Sequence, residues 1–285
     1  MKPVLIGVLI TLVTLGSPAV FAGQQEDIQA LQKYMQKRFP DVAFADFKNG
    51  AYALDAAKAI QWESQRDFPP FLDHLDEGET IWSTPFANGK TFADCFGEDT
   101  STIRVRYPRW NAETKQVETL EGQIAACQKA NGEKPFKGKR GKIAHLSAWL
   151  AHQANGQVIN VVVPEDDPGA VAAYEAGKQF FYAKRGQLNM SCADCHVYNA
   201  GMQARGNLLS PAIGQVTHFP VWRGKWARAT NGEDGFGTLQ RRYSGCNAQV
   251  RARPFKDQGE EYRNLEYFHQ SMSNGLVVDA PDYRE

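Results

Sequence analysis

The sequence lacks three things, and each absence narrows what the chain does. It has no charge excess: 32 lysines and arginines balance 32 aspartates and glutamates. No general basic field exists, which argues against nucleic acid as a partner. Beyond its first residues it has no apolar run long enough to span a bilayer, so the body of the chain carries no membrane segment. Cysteine and histidine are scarce, 5 and 6 in 285 residues, and no compact set of further Cys or His lies near the one C-x-x-C pair, as a zinc site would need. The length permits one large domain or two small ones.

The early apolar stretch is of another kind. Met1-Lys2-Pro3 is a short positive region, Val4 to Leu15 an apolar run, and Ser17-Pro18-Ala19-Val20-Phe21-Ala22-Gly23 supplies small residues for a signal peptidase. Residues 1–22 therefore read as a secretory signal peptide cut after Ala22; the run is too short to read as an anchor. Export to the periplasm is the expectation, and an oxidising compartment makes disulfides available.

Ser191-Cys192-Ala193-Asp194-Cys195-His196 contains C-x-x-C-H, the attachment signal for a c-type haem. Two thiols at this spacing add to the two vinyl groups of one porphyrin, and the following histidine is placed to ligate the iron. Cys192 and Cys195 are thus the expected covalent anchors of a single haem c and His196 its proximal ligand. A dithiol redox pair and half of a zinc site are the competing readings of the same spacing.

The chain also repeats. Thr119 to Cys127 aligns without a gap on Thr238 to Cys246, an offset of 119 residues (246 − 127). The same offset carries Pro135-Phe136-Lys137 onto Pro254-Phe255-Lys256, Leu146 onto Leu265, Trp149 onto Phe268 and Asn155-Gly156 onto Asn274-Gly275. This predicts a duplicated module. Each copy closes with an apolar-striped helix stopped at Asn-Gly, and Asp167-Pro168 opens the helix that leads to the haem motif. From Gln24 to Asp67, apolar residues recur at helical spacing around Ile28, Leu31, Tyr34 and Met35, then Leu54, Ala57 and Ile60. The expected fold is all-α: an N-terminal helical extension wrapping the first of two tandem cytochrome c-like domains, residues 23–165 without haem and residues 166–285 with it.

The upstream counterpart of the haem motif is Phe92-Ala93-Asp94-Cys95-Phe96, in which phenylalanine replaces both the first thiol and the iron ligand. The motif there cannot hold a haem, and two phenylalanines partly fill the volume. Cys95 and Cys127 correspond to Cys195 and Cys246, positions that flank one cofactor in the other copy. Without the cofactor they fall together, and a disulfide between Cys95 and Cys127 is predicted.

Cys246 is then left over. It is an inert thiol, an intermolecular crosslink or the distal iron ligand, and Met202, His218, His269 and Met272 compete for that last role; His218 is the most serious rival. Arg241, Arg242, Arg251 and Arg253 bracket Cys246, where the first copy has Gly122, Gln123, Gly132 and Lys134. The contrast points to an anion site rather than a solvated loop.

The stretches His218-Phe219-Pro220-Val221-Trp222-Arg223, Gln240-Arg241-Arg242 ahead of Cys246, Arg251-Ala252-Arg253-Pro254-Phe255 and Asn264-Leu265-Glu266-Tyr267-Phe268, taken with the haem motif, resemble the SoxA family of bacterial thiosulfate oxidation. The resemblance covers nearly all of the mature chain. It implies iron ligation by His196 and Cys246, a persulfide on Cys246, and Arg242 at the substrate pocket. It further implies L-cysteine S-thiosulfotransferase activity: with a small SoxX-type monohaem cytochrome, in a heterodimer open to a further small subunit, thiosulfate is conjugated to a cysteine of a SoxYZ-type carrier and two electrons are released. Many members carry two haems; loss of the first, with a disulfide in its place, marks a single-haem subgroup that this chain resembles. Other functions open to the residues are electron transfer without a substrate and oxidation of thiosulfate to tetrathionate.

Overall fold

The computed structural model of the chain describes residues 23–204, 206–231 and 235–284; the expected signal peptide lies outside them. Ten α-helices run in order as α1 (Gln24–Arg38), α2 (Ala56–Arg66), α3 (Leu72–Ser83), α4 (Ala93–Phe96), α5 (Leu120–Ala130), α6 (Lys142–Gln153), α7 (Pro168–Tyr182), α8 (Gly224–Arg228), α9 (Leu239–Gln249) and α10 (Glu260–Ser271). The strands are short. β1 (Arg109–Asn111) and β2 (Gln116–Glu118) form one hairpin, and β3 (Gln203–Ala204) and β4 (Asn207–Leu208) another. β5 (Val221–Trp222) lies between antiparallel β6 (Phe236–Gly237) and parallel β7 (Asp282–Tyr283). The fold is mostly α, as the sequence leads one to expect.

The 119-residue offset is visible in the elements. α5 begins after Thr119 and α9 after Thr238; each threonine hydroxyl accepts the backbone N–H three residues on, from Gly122 at 3.1 Å and from Arg241 at 3.4 Å, so each helix is capped in the same way. α7 opens as expected, with Pro168 in its first turn and the Asp167 carboxylate accepting from Gly169 N–H at 2.9 Å. The helices that close the two copies cross earlier helices through glycine. A Cβ on Gly78 of α3 would meet the His145 carbonyl of α6 at 2.5 Å, and one on Gly177 of α7 would meet the Asn264 carbonyl of α10 at 2.0 Å. His145 and Asn264 are themselves 119 apart (264 − 145). Only a residue without a side chain lets the backbones approach so closely.

Beyond α6 and α10 the two copies meet. Val158 and Val277, equivalent positions, form an antiparallel bridge. Asn155 Oδ1 accepts from Ala280 N–H at 2.7 Å, and its equivalent Asn274 accepts from Val161 N–H at 2.8 Å. Each copy thus gives the other the same bond, as two units related by a local twofold axis do. Gly156 (φ 84°) and Gly275 (φ 90°) make the matching turns that bring the segments together.

The core divides correspondingly. One apolar cluster gathers α7, α9 and α10 with the loop after the haem motif; the other gathers α3 to α6 and includes Phe92, Phe96 and Cys127. Phe92 and Phe96 are buried, ring to ring with Trp82 at 6.2 and 6.3 Å, while Phe92 meets Phe86 at 4.9 Å. The expected disulfide is present: Cys95 of α4 is bonded to Cys127 of α5.

One expectation is overturned. The N-terminal extension does not wrap the first copy but packs on the second: Leu31, Met35 and Phe47 belong to the cluster of α7 and α10. Lys178 of α7 pairs with Asp27 at 2.6 Å, and Arg38 donates to the Tyr198 and Ala200 carbonyls just after the haem motif. In α2 the buried side chain is Trp62, whose indole N–H donates to Asp282 at 2.9 Å, whereas Ile60 faces solvent. Long-range apolar burial and polar contacts, which periodicity does not encode, hold the extension there.

Two outcomes follow. Gly177→Ala lowers stability by about 2–3 kcal/mol, because the helix pair must separate, while Gly245→Ala, with nothing within 4 Å of its Cβ, is neutral or stabilises by up to about 1 kcal/mol; urea unfolding of both variants measures the difference. Replacing Cys95 and Cys127 by serine releases a loop with a sequence separation of 32 and costs about 3–4 kcal/mol in the same assay.

Candidate haem cleft and its anion sites

The segment after α7 is built as a holder. Ser191 and Asp194 bond reciprocally, the Asp194 carboxylate accepting from Ser191 N–H at 2.7 Å and the Ser191 hydroxyl from Asp194 N–H at 3.0 Å. This starts a wide helical turn, Asp194–Tyr198, that carries Cys195 and His196. The first copy keeps part of the device, with Asp94 accepting from Thr91 N–H at 2.7 Å ahead of Cys95 and Phe96. The scaffold outlasts the ligands.

Cys192, Cys195, His196, Arg242 and Cys246 all line one cavity of about 790 Å³, walled by side chains that include Phe180, Phe181, Phe219, Leu239 and Leu265. α9 supplies Arg242 and Cys246, one turn apart on one face. His196 is buried, and its Nδ1 lies 2.9 Å from the Ser210 carbonyl. That bond assigns the proton to Nδ1 and leaves the Nε2 lone pair for a metal. Burial pushes the imidazole pKa down to about 4, so the ring is neutral, as a ligand must be. Burial raises the Cys192 thiol to about 12 and also raises Cys195, with Cys246 adding to both. An aromatic-walled cleft, two adjacent thiols at one side and an imidazole Nε2 whose neighbour is the Gln215 amide nitrogen at 3.2 Å fit a covalently attached porphyrin.

The rivals for the second axial position separate cleanly. Met202 is 57 % exposed, and Met272 lines a different cavity beneath α1. His218 is fully buried but outside the cleft, stacked 5.5 Å from Trp62 with the Asp282 and Asp279 carboxylates 3.7 and 3.9 Å away. His269 does line the cleft, and its Nδ1 is engaged by the Tyr243 hydroxyl at 2.9 Å. Of the five candidates, Cys246 and His269 share the cleft with His196, and Cys246 lies one helical turn from Arg242.

Of the four arginines around Cys246 in sequence, Arg242 alone lines the cleft. Arg241 lies over the Trp226 ring at 4.2 Å and donates to the Phe236 carbonyl. Arg251 is exposed and bonds Gln187 at 3.4 Å, and Arg253 is exposed. The Arg242 side chain makes no hydrogen bond or ion pair among the described residues; its backbone N–H donates to the Thr238 carbonyl at 3.2 Å. Sequence reasoning missed Ser210 and Gln215, which surround the His196 ring, and the arginines Arg223 and Arg284, which line an adjoining cavity. Arg223 ends a stretch quoted above; Arg284 has no local signal, because β7 pairs with β5 across 61 residues of sequence (282 − 221).

Comparison with known proteins agrees with this geometry. Residues 77–159 match the family model described as SoxA/TsdA, cytochrome c domain, which falls on the copy with the disulfide. The chain is 48 % identical to the L-cysteine S-thiosulfotransferase subunit SoxA of Allochromatium vinosum, covering 97 % of this chain and 98 % of that protein. It is 46 % identical to the SoxA subunit of Chlorobaculum tepidum over 91 % of this chain and 87 % of that protein. The crystal structure of SoxXA from P. pantotrophus superposes with a TM-score of 0.68 at 29 % identity, covering 78 % of this chain and 84 % of that one. The chain belongs to the SoxA family of L-cysteine S-thiosulfotransferase subunits.

Proposed function

We propose that this chain, with a SoxX-type cytochrome, conjugates thiosulfate to a cysteine of a SoxYZ-type carrier in the periplasm, after removal of residues 1–22. The observation that carries the reading is the convergence of Cys192, Cys195, His196, Arg242 and Cys246 on one cleft; the family membership supports it. On this reading residues 23–165 are the haem-less cytochrome c-like unit and residues 166–285 hold one haem c. Cys192 and Cys195 would form the thioethers, and His196 and Cys246 would ligate the iron. Among the described residues no helix is long and apolar enough to cross a membrane.

Arg242 binds the thiosulfate dianion. Its fork of donors suits a sulfonate and cannot lose its charge. The outer sulfur of thiosulfate forms a bond to Cys246 Sγ as two electrons leave, and the carrier thiolate then attacks that outer sulfur and displaces the Cys246 thiolate. The net change joins S₂O₃²⁻ and R–S⁻ into R–S–S–SO₃⁻ and releases two electrons, which the partner cytochrome accepts one at a time. A persulfide on Cys246 would offer its terminal sulfur in the same role. When bound, the haem supplies an iron that holds the Cys246 sulfur and links it to the electron path.

Intact mass of the carrier after incubation with thiosulfate, the partner cytochrome and an electron acceptor tests this. The carrier gains a thiosulfonate with the wild type and none with Cys246→Ala, and Arg242→Gln raises the thiosulfate KM about 10- to 100-fold, the worth of one charge-assisted bond. An unmodified carrier alongside tetrathionate production, or haem reduction with no sulfur product in either form, refutes conjugation.

A further inference from the structure

The close crossing of α3 and α6, where a Cβ on Gly78 would meet the His145 carbonyl at 2.5 Å, brings three donor side chains together. His74 and Glu77 are three residues apart on α3 and so share a face, and His145 comes up to them from α6. One nitrogen from each imidazole and one carboxylate oxygen lie within 4.8 Å of one another. His145 Nδ1 is 2.7 Å from Glu77 Oε2, and the two imidazole rings are 4.6 Å apart with a tilt of 30°. Among the described residues the His74 ring makes no hydrogen bond; its contacts are with other rings.

The surroundings suit a bound cation. His145 is buried, the His74 ring stacks on Trp222 at 4.9 Å, and Phe236 stands edge-on to both imidazoles, 6.2 Å from His74 and 6.0 Å from His145. Glu77 reaches the surface, its side chain 40 % exposed. The group thus has an aromatic back that fixes the imidazoles and strengthens the pull of a carboxylate on a cation, and a front open to water. Helix packing alone does not call for these residues. Gly78 corresponds to Gly177 at an offset of 99 residues (177 − 78), which carries His74 and Glu77 onto Ala173 and Ala176, and His145 corresponds to Asn264. The copy with the C-x-x-C-H motif makes the same glycine crossing with two alanines and an asparagine, so the donor set is an addition confined to the copy with the disulfide.

We infer that His74, Glu77 and His145 form a zinc site that clamps α3 to α6. Two imidazoles and one carboxylate are a zinc ligand set, with donors at about 2.0–2.2 Å in a tetrahedron whose fourth position a water fills; here solvent reaches the set from the side of Glu77. Calcium and magnesium prefer all-oxygen sets, which this is not. The proton now held between His145 and Glu77 leaves to solvent as the ion enters, so one hydrogen bond gives way to three coordinate bonds. The clamp also steadies β5, because Trp222, on which His74 stacks, belongs to that strand. None of this depends on the haem reading.

The test uses the haem-loaded chain with its partner cytochrome, stripped with EDTA, dialysed and then given zinc chloride. Zinc retained after gel filtration is measured by mass spectrometry, and the unfolding temperature is measured with and without the ion. His74→Phe keeps a ring on Trp222 without a ligand atom, and Glu77→Gln keeps the side chain's shape without its charge. The expected result is zinc retained in proportion to the wild-type chain and lost from both variants, with zinc raising the unfolding temperature of the wild type by a few degrees and that of neither variant. No retention by the wild type overturns the inference. Retention that both variants preserve does so too, since the ion is then adventitious, and retention with no rise in unfolding temperature overturns the clamp. If the variants do not accumulate, anomalous scattering at the zinc edge from a zinc-soaked wild-type crystal decides, with a peak among His74, Glu77 and His145 in support and no peak there against.

Discussion

The exchange of hydrogen bonds between Asn155 and Ala280 on one side and Asn274 and Val161 on the other is the constraint from which the rest of the architecture follows. Each asparagine closes its own copy and satisfies a backbone N–H of the other, in a region where Ile159, Val161, Leu276, Val278 and Ala280 are buried. An unsatisfied amide there would cost about 1–3 kcal/mol, so the bonds hold the two copies in one relation. Around that seam the glycine crossings at Gly78 and Gly177 set the same helix pair in each copy. The pocket behind each pair is then free to be filled differently.

Divergence of the two pockets is a matter of how their volume is occupied. In the first copy Phe92, Phe96, Trp82 and Phe86 form a ring cluster, and the Cys95–Cys127 bond closes its edge. A crosslink that limits the unfolded chain and an aromatic core together replace what a bound cofactor would contribute. In the second copy the equivalents, Cys195 and Cys246, face a cleft of about 790 Å³ between α7, α9 and α10. The chemistry sits where the packing was left open, and the closed copy supplies a rigid neighbour: Trp222, one residue before Arg223, packs against Phe71 and Phe236 in the core of the first copy.

Much of this was legible in the sequence, and the reason is locality. The C-x-x-C-H motif, the threonine caps, Asp167-Pro168 and the offset that aligns Cys127 with Cys246 are short-range patterns, and each reappears as a helix start, a turn or a disulfide. What escaped was set by long-range contact. His218 reads as an iron ligand until Trp62 and Asp282, far away in sequence, enclose it. Arg241, Arg251 and Arg253 look equivalent to Arg242 until helix phase and the Trp226 ring turn them elsewhere. Arg284 enters the site through a two-residue strand at the end of the described chain, a pairing too short to leave a periodic signal.

The account's central claim is that one copy of a duplicated module holds a single haem while the other holds a disulfide instead. The direct measurement is haem per polypeptide by pyridine haemochrome, joined to peptide mass mapping of the non-reduced protein. The predicted result is one haem, carried on the peptide containing Cys192, Cys195 and His196, and a separate linked pair of peptides containing Cys95 and Cys127. Two haems per chain, or a haem adduct on the Cys95 peptide, would contradict it.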